Sequence, residues 1–307
     1  MTHSRQPLRL RIWRARYLYL MLIPVILYYA IFKYEPMAGL VLAFKRYLAN
    51  KGIWGSPWVG LNNFKRIFIT PDAVRSIINT FQISLCRLVF EFPFPLLLAL
   101  LINEMRGRHT KRIYQTIYTF PHFLSWVVVG TMVTNILSNS GAINTIIAFF
   151  GGQRINFLSS NSFFRPLLYI TANWKEMGWS AIIYMAAITG VDMSLYEAAT
   201  VDGATRFQQT WHVTLPAIKQ TIVVLFILAV GHMMNAGFDQ IFNLQNSAVR
   251  ASSDIIDTYI YDITFKTTPD YGFSTAVGMF KSVINFSMLL ICNTVVKRIN
   301  NGRGLFA

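Results

Sequence analysis

Charge is the scarcest resource in this 307-residue chain: Asp, Glu, Lys and Arg together make up 13% of it. A soluble domain usually carries about a quarter charged residues, so a water-facing surface is under-supplied. Acidic residues are scarcer still, 13 against 28 Lys and Arg, which leaves a formal charge of +15. Only two cysteines are present, Cys86 and Cys292, which excludes a disulfide framework. No Gly-Lys pair occurs anywhere in the chain, so the phosphate-cradling P-loop is absent. The five histidines (3, 109, 122, 212 and 232) form no His-x-x-x-His or His-Glu-x-x-His arrangement, and there is no Gly-x-Ser-x-Gly elbow. Catalytic readings are therefore thin.

What the chain has instead is hydrophobicity, 54% of its residues. That excludes disorder, which needs low hydrophobicity. The basic residues are threaded between apolar runs instead of being spread over a soluble surface, which argues against a nucleic-acid binder. An integral membrane protein remains, with spans of about 20 mostly apolar residues each.

Six such runs are predicted: Tyr17–Phe32, Ile77–Ile102, Ile113–Leu137, Pro166–Gly190, Ala217–Phe242 and Phe273–Val296. The first follows a tail bearing Arg5, Arg9, Arg11, Arg14 and Arg16, and no small-residue cleavage site follows it. It reads as an uncleaved first helix behind a cytoplasmic basic tail, residues 1–16. Residues 33–75, 138–165 and 243–272 read as external loops. The segments placed inside hold 14 Lys and Arg against 11 outside, and the two densest clusters, the tail and 103–112, both fall inside. The expected architecture is an all-α, six-span integral membrane protein with both termini cytoplasmic. No internal repeat is visible, which weakens a secondary carrier, the alternative from another class together with a channel.

Residues 191–216, VDMSLYEAATVDGATRFQQTWHVTLP, lie in a predicted cytoplasmic loop yet have helical composition. Ser194 followed by Glu197 fits a capping box. Ala198 and Ala199 give a helix face of little bulk, Gly203 permits a sharp turn, and Leu215-Pro216 restarts a helix at the membrane. An amphipathic loop helix resting on the bilayer is the plainer alternative.

Taken whole, Glu197-Ala198-Ala199, Asp202-Gly203 and Leu215-Pro216 resemble the EAA signature of the membrane subunits of ABC importers. Val213 stands where that family usually has isoleucine. The stretches FKYEPMAGLVLAFKRY, KGIWGSPWVGLNNFKRIF, TFPHFLSWVVVG and STAVGMFKSV are similar to permeases that import complex or acidic oligosaccharides, the aldouronate and alginate types. The resemblance implies a type I permease fold over residues 17–307 in a bacterial inner membrane. It also implies coupling helices in the loop, a second homologous permease, two ATP-hydrolysing subunits that hold ATP and Mg, and an extracytoplasmic binding protein.

Ionisable and amide groups inside spans are costly and mark function or a buried partner. Arg87 and Glu91 share a helix face in the second span and either pair or meet substrate. Lys175 in the fourth span, Asn235, Gln240 and Asn243 in the fifth, and Lys281 and Asn285 in the sixth complete the candidates for a substrate path. An anionic sugar requires a cation that stays charged, so Arg87, Lys175 or Lys281 is expected to face the passage. Gln240 and Asn243 fall near the expected outer end of their span, where interfacial solvation is the plainer explanation.

Overall fold

The computed structural model describes residues 13–266 and 268–299. Arg5, Arg9, Arg11 and Arg303, and most of the predicted basic tail, lie outside the described residues. Helix dominates, and the one β-pairing among the described residues is an isolated antiparallel bridge between Lys45 and Trp58.

The first span, α1, runs from Arg16 to Phe44, longer than the predicted Tyr17–Phe32. Its α-helical part passes through a π turn at Ala30–Tyr34 into a 3-10 segment, Glu35–Phe44. Pro36 sits in the first turn of that segment, where an amide proton is not needed, so the helix continues past it. The connection expected to be external accordingly begins at Lys45, not at residue 33, and contains α2 (Asn62–Ile69). None of the apolar stretch of α1 is buried against the rest of the chain, whereas Ala43 near its end is fully buried.

Helices α3 (Pro71–Glu91) and α4 (Pro93–Glu104) form one continuous 34-residue span. Phe92 between them keeps helical dihedrals, and its amide donates to Leu88 O at 3.3 Å. The predicted span Ile113–Leu137 is broken instead. It divides into α5 (Arg108–Thr119), a short 3-10 turn and α6 (Trp126–Leu137). Leu124 and Ser125 are extended, and the Ser125 hydroxyl caps α6 by accepting from the Val128 amide at 3.3 Å. A further helix, α7 (Ala142–Phe149), occupies part of the expected second external loop.

Helix α8 (Asn161–Thr189) is the hub, packed against α3, α4 and α5. Gly178 is required there, because a Cβ would overlap the Tyr118 carbonyl of α5. Close approach through small residues is how helices gain contact when lipid is as apolar as they are. The loop helices α9 (Met193–Val201) and α10 (Arg206–Ala217) follow, the latter including a π turn at Thr210–Thr214.

The predicted fifth span, Ala217–Phe242, is also broken. Helix α11 (Lys219–Gly231) has only 13 residues and stops at His232. Ala236 and Gly237 then adopt left-handed dihedrals, φ 44° and 79°, before α12 (Phe238–Leu244). After α13 (Ile256–Tyr261), α14 (Tyr271–Ile299) forms the last span. Among the described residues, four helical stretches are long and apolar enough to cross a membrane, namely α1, α3 with α4, α6 with α7 (Trp126–Phe149) and α14, and up to six spans result if each bent pair counts as one. The bent pairs are α8 with α9, at 71°, and α10 with α11, at 65°. One apolar cluster joins Leu98, Ala181, Tyr184 and Ile218, tying the spans to the end of the 191–216 loop.

Candidate functional site

Two regions concentrate chemistry: a cavity beside the break in the fifth span, and the exposed loop 191–216. The cavity, about 420 Å³, lies between the α3–α4 span, α8 and α11. Its wall is largely apolar, with polar side chains from Ser84, Arg87 and Glu91 on one side, Ser180 and Tyr184 of α8 on another, and His232 and Asn235 at the break. Arg87 lies near the middle of the 34-residue span, where a charge needs a protein partner or a water-filled space.

Arg87 has both. Its Nη2 donates to Gln240 Oε1, and its Nε stands 3.5 Å from Glu91 Oε1 one turn along the helix. Gln240 is fully buried, and its Nε2 donates to Leu168 O at 2.8 Å and to Thr171 Oγ1 at 2.7 Å. Burial, not interfacial solvation, is therefore the environment of Gln240. The guanidinium also packs over Gly237, where an added Cβ would lie 2.6 Å from Arg87 Cζ. Three buried polar atoms of this wall have no hydrogen-bond partner: Ser84 Oγ, Arg87 Nε and Glu91 Oε1.

Asn235 sits in the break itself and lines the cavity. Asn285 of α14 secures the same break from behind. Its Nδ2 donates to Gly231 O at 2.5 Å and its Oδ1 accepts from the Met234 amide at 3.3 Å, replacing helical bonds lost at the interruption. Asn243 donates to Asp239 O at 2.7 Å and packs against Gly130 of α6.

The two lysines are committed elsewhere. Lys281 Nζ reaches both carboxylate oxygens of Asp257 in α13, at 2.7 and 2.8 Å. Lys175 Nζ donates to Glu176 Oε1 and His122 O, each at 2.9 Å, and lies 5.5 Å from the ring centroid of Trp126. Glu176 in turn meets His122 Nδ1 at 2.6 Å, and the imidazole stacks on Trp179 with centroids 4.5 Å apart. This assembly pins the α5–α6 break to α8. Of the three intramembrane cations, Arg87 is the one that lines the cavity. Sequence spacing could find Glu91, four residues away. It could not find Gln240, Asp257 or His122, which come from other helices.

In the 191–216 loop, helix α9 is capped by Asp192, whose Oδ1 accepts from the Ser194 amide at 3.0 Å. Those bonds to Ser194 hold the Asp192 carboxyl below the usual carboxylate range. The predicted Ser194–Glu197 box is not formed, because the helix starts before Ser194 and Asp192 takes the capping position. The capping box lies instead at Thr205 and Gln208, opening α10. Gly203 has φ 78°, with the Ala204 amide bonded to Ala199 O at 2.9 Å, so the expected turn is present. Tyr196 OH and Thr214 Oγ1 are 2.9 Å apart, and Gln209 Nε2 donates to Thr200 Oγ1 at 2.9 Å, bracing the two helices together. Leu215 and Pro216 open the final turn before α11.

This braced unit turns apolar side chains outward: Val201 is 89% exposed, Phe207 76% and Met193 66%. A shallow concavity beside them is lined by Ala199, Asp202, Gly203, Gln208 and His212. Glu197 and Ala198 are exposed. These apolar side chains are left uncovered by the rest of the chain.

The family model described as "Binding-protein-dependent transport system inner membrane component" matches residues 91–301. The chain is 44% identical over 296 residues to the polygalacturonan/rhamnogalacturonan transport system permease protein YteP of Bacillus subtilis, covering 96% of this chain and 92% of that one. It is 45% identical over 294 residues to protein LplB of the same organism, covering 95% and 92%. A chain in the crystal structure of a bacterial ABC transporter that imports the acidic polysaccharide alginate superposes with a TM-score of 0.88. That chain is 38% identical, with 95% of this chain and 99% of that one covered. The same transporter in complex with an alginate pentasaccharide-bound periplasmic protein gives a TM-score of 0.88 at 37% identity, covering 97% of this chain and 99% of that one.

Proposed function

Because the chain belongs to the inner-membrane components of binding-protein-dependent transport systems, we propose that it is the membrane-spanning subunit of an ATP-driven importer of uronate-containing oligosaccharides. The family supports a permease of a binding-protein-dependent transporter, and YteP and the alginate transporter, both named for polysaccharides, support a saccharide as its cargo. The observation that carries the acidic substrate is the 38% identity, at full length, to an alginate-importer chain. Polygalacturonan, in the name of one relative, is also a polyuronate.

On this reading the chain crosses a bacterial inner membrane six times with both termini in the cytoplasm. A second, homologous permease completes the passage, an extracytoplasmic binding protein delivers the sugar, and two ATP-binding subunits hold ATP and Mg. The chain itself is not an enzyme. Residues Glu197, Ala198, Ala199, Asp202, Gly203, Leu215 and Pro216 form the coupling element. A rigid pair of helices with an exposed apolar face fits a cleft in an ATPase partner, and the α10–α11 bend leads from that face into the broken span. Closure of the ATPase pair would then move α11 and the wall of the cavity, passing substrate inward by alternating access.

Co-expression with the cognate subunits tests the assignment. Glu197→Lys and Gly203→Pro are expected to remain in the membrane but to lose stimulation of ATP hydrolysis by loaded binding protein. Wild-type stimulation in both variants would refute the coupling role.

A further inference from the structure

The cavity wall holds an arrangement that a purely structural ion pair does not need. Arg87 and Glu91 face one another at 3.5 Å with no hydrogen bond between them, beyond the 2.7–2.9 Å of a charge-assisted bond. Ser84 Oγ, one turn before Arg87 and with its residue 2% exposed, also lacks a partner. A buried polar atom left unpaired costs stability, and an occupant carrying both acceptor oxygens for Arg87 Nε and hydroxyl donors for Glu91 Oε1 would satisfy all three. By contrast, the bond from Arg87 to Gln240 is anchored behind the cavity by Leu168 O and Thr171 Oγ1. That fixes the guanidinium on the cavity wall with its Nε toward Glu91. Gly237 lets the guanidinium lie against the backbone of the break, because an added Cβ would overlap it.

We infer that Arg87 is the carboxylate-binding residue of the passage, with Glu91 its resident counter-ion in the empty state and a sugar uronate the group that takes its place. The guanidinium fork suits a planar carboxylate, whereas Glu91 comes no nearer to Nε than 3.5 Å. Ser84 and Asn235 stand on the same wall to meet hydroxyls of the same sugar unit. This inference rests on the reading of the chain as a permease for acidic oligosaccharides.

The test is uptake of short oligogalacturonates and oligomannuronates by proteoliposomes holding the complete transporter with its binding protein, with assembly of each variant measured in parallel. Arg87→Gln is expected to lower uptake at least about tenfold, the scale of one charged hydrogen bond. Arg87→Lys keeps the charge and is expected to retain a substantial part. Glu91→Gln is expected to leave uptake intact or to lower the half-saturating concentration, because the competitor for Arg87 is gone. The double variant Arg87→Gln/Glu91→Gln separates this role from a structural one. It removes the stranded charge, so a structural pair predicts recovery, whereas carboxylate binding predicts that uptake stays as low as in Arg87→Gln. Recovery in the double variant, or a loss in Glu91→Gln equal to that in Arg87→Gln, would overturn the inference. Failure of the unmodified transporter to import either acid would overturn the underlying reading, and it would show in the wild type before any variant is compared.

Discussion

Lys281 offers the sharpest check on how the charges inside the bundle are used. As a lone intramembrane cation it is a candidate for meeting substrate, but the structure gives it to Asp257, with both carboxylate oxygens within 2.8 Å. At 2.7 Å and an effective dielectric constant of about 20, the attraction amounts to about 6 kcal/mol before desolvation is subtracted. The side chains are 16% and 23% exposed, so desolvation is substantial but incomplete. Removing one partner of a buried pair typically costs about 3–5 kcal/mol, because the other charge is stranded. With the residual exposure taken into account, Lys281→Met is expected to cost about 2–3 kcal/mol. Adding Asp257→Asn removes the stranded carboxylate and is expected to restore most of that. The assay is thermal inactivation of the purified, assembled transporter, followed by size-exclusion chromatography, for the two single variants and the double. Wild-type stability in Lys281→Met together with a selective loss of sugar uptake would refute the pairing argument and return Lys281 to the passage.

Four further outcomes follow from the same geometry. Gly178→Ala places a methyl group against the Tyr118 carbonyl and is expected to destabilise by about 3 kcal/mol, read as loss of monodisperse protein on heating. Asn285→Leu removes both bonds that tie α14 to the fifth-span break and should cost about 1–2 kcal/mol, with faster amide exchange at Met234 as the local readout. At Gly203 the space beside the Cα is open, so Ala carries only the left-handed strain of about 1–2 kcal/mol. Asn, which tolerates that conformation, is expected to preserve coupled ATP hydrolysis better than Ala. The Asp192 cap stabilises α9 while its carboxyl is ionised. Because its folded pKa is lowered, that contribution is present above the usual carboxylate pKa and is lost as pH falls through the lowered value. Exchange of the Ser194 amide should therefore accelerate on acidification in the wild type, and much less in Asp192→Asn, which keeps a neutral acceptor.

The apolar runs and the turn at Gly203 were legible in the chain because their causes are local, whereas the helix restart expected at Leu215-Pro216 falls at Lys219, after a bend of 65°. Hydropathy sums along a segment, and a left-handed turn needs its glycine wherever the rest of the fold goes. The exceptions show where local reasoning stops. Pro36 does not end the first helix, because it falls in a first turn. The third and fifth apolar runs are divided, one by an extended Leu124-Ser125 and the other by left-handed Ala236 and Gly237. A break inside an apolar run is tolerable only if something from another helix satisfies the freed backbone groups, as Asn285 does from α14. Which intramembrane charge faces the cavity was likewise undecided in the chain. Arg87, with Glu91 one turn on, Lys175, beside Glu176, and Lys281 are all cations in apolar runs, and nothing in the chain ranks them. They differ only once the bundle sets Glu176 and His122 against Lys175, Asp257 against Lys281, and a long, imperfect Glu91 contact beside open space against Arg87. An ion pair depends on which helices meet and at what height. Across separations as large as the 153 residues between Arg87 and Gln240, packing alone decides that.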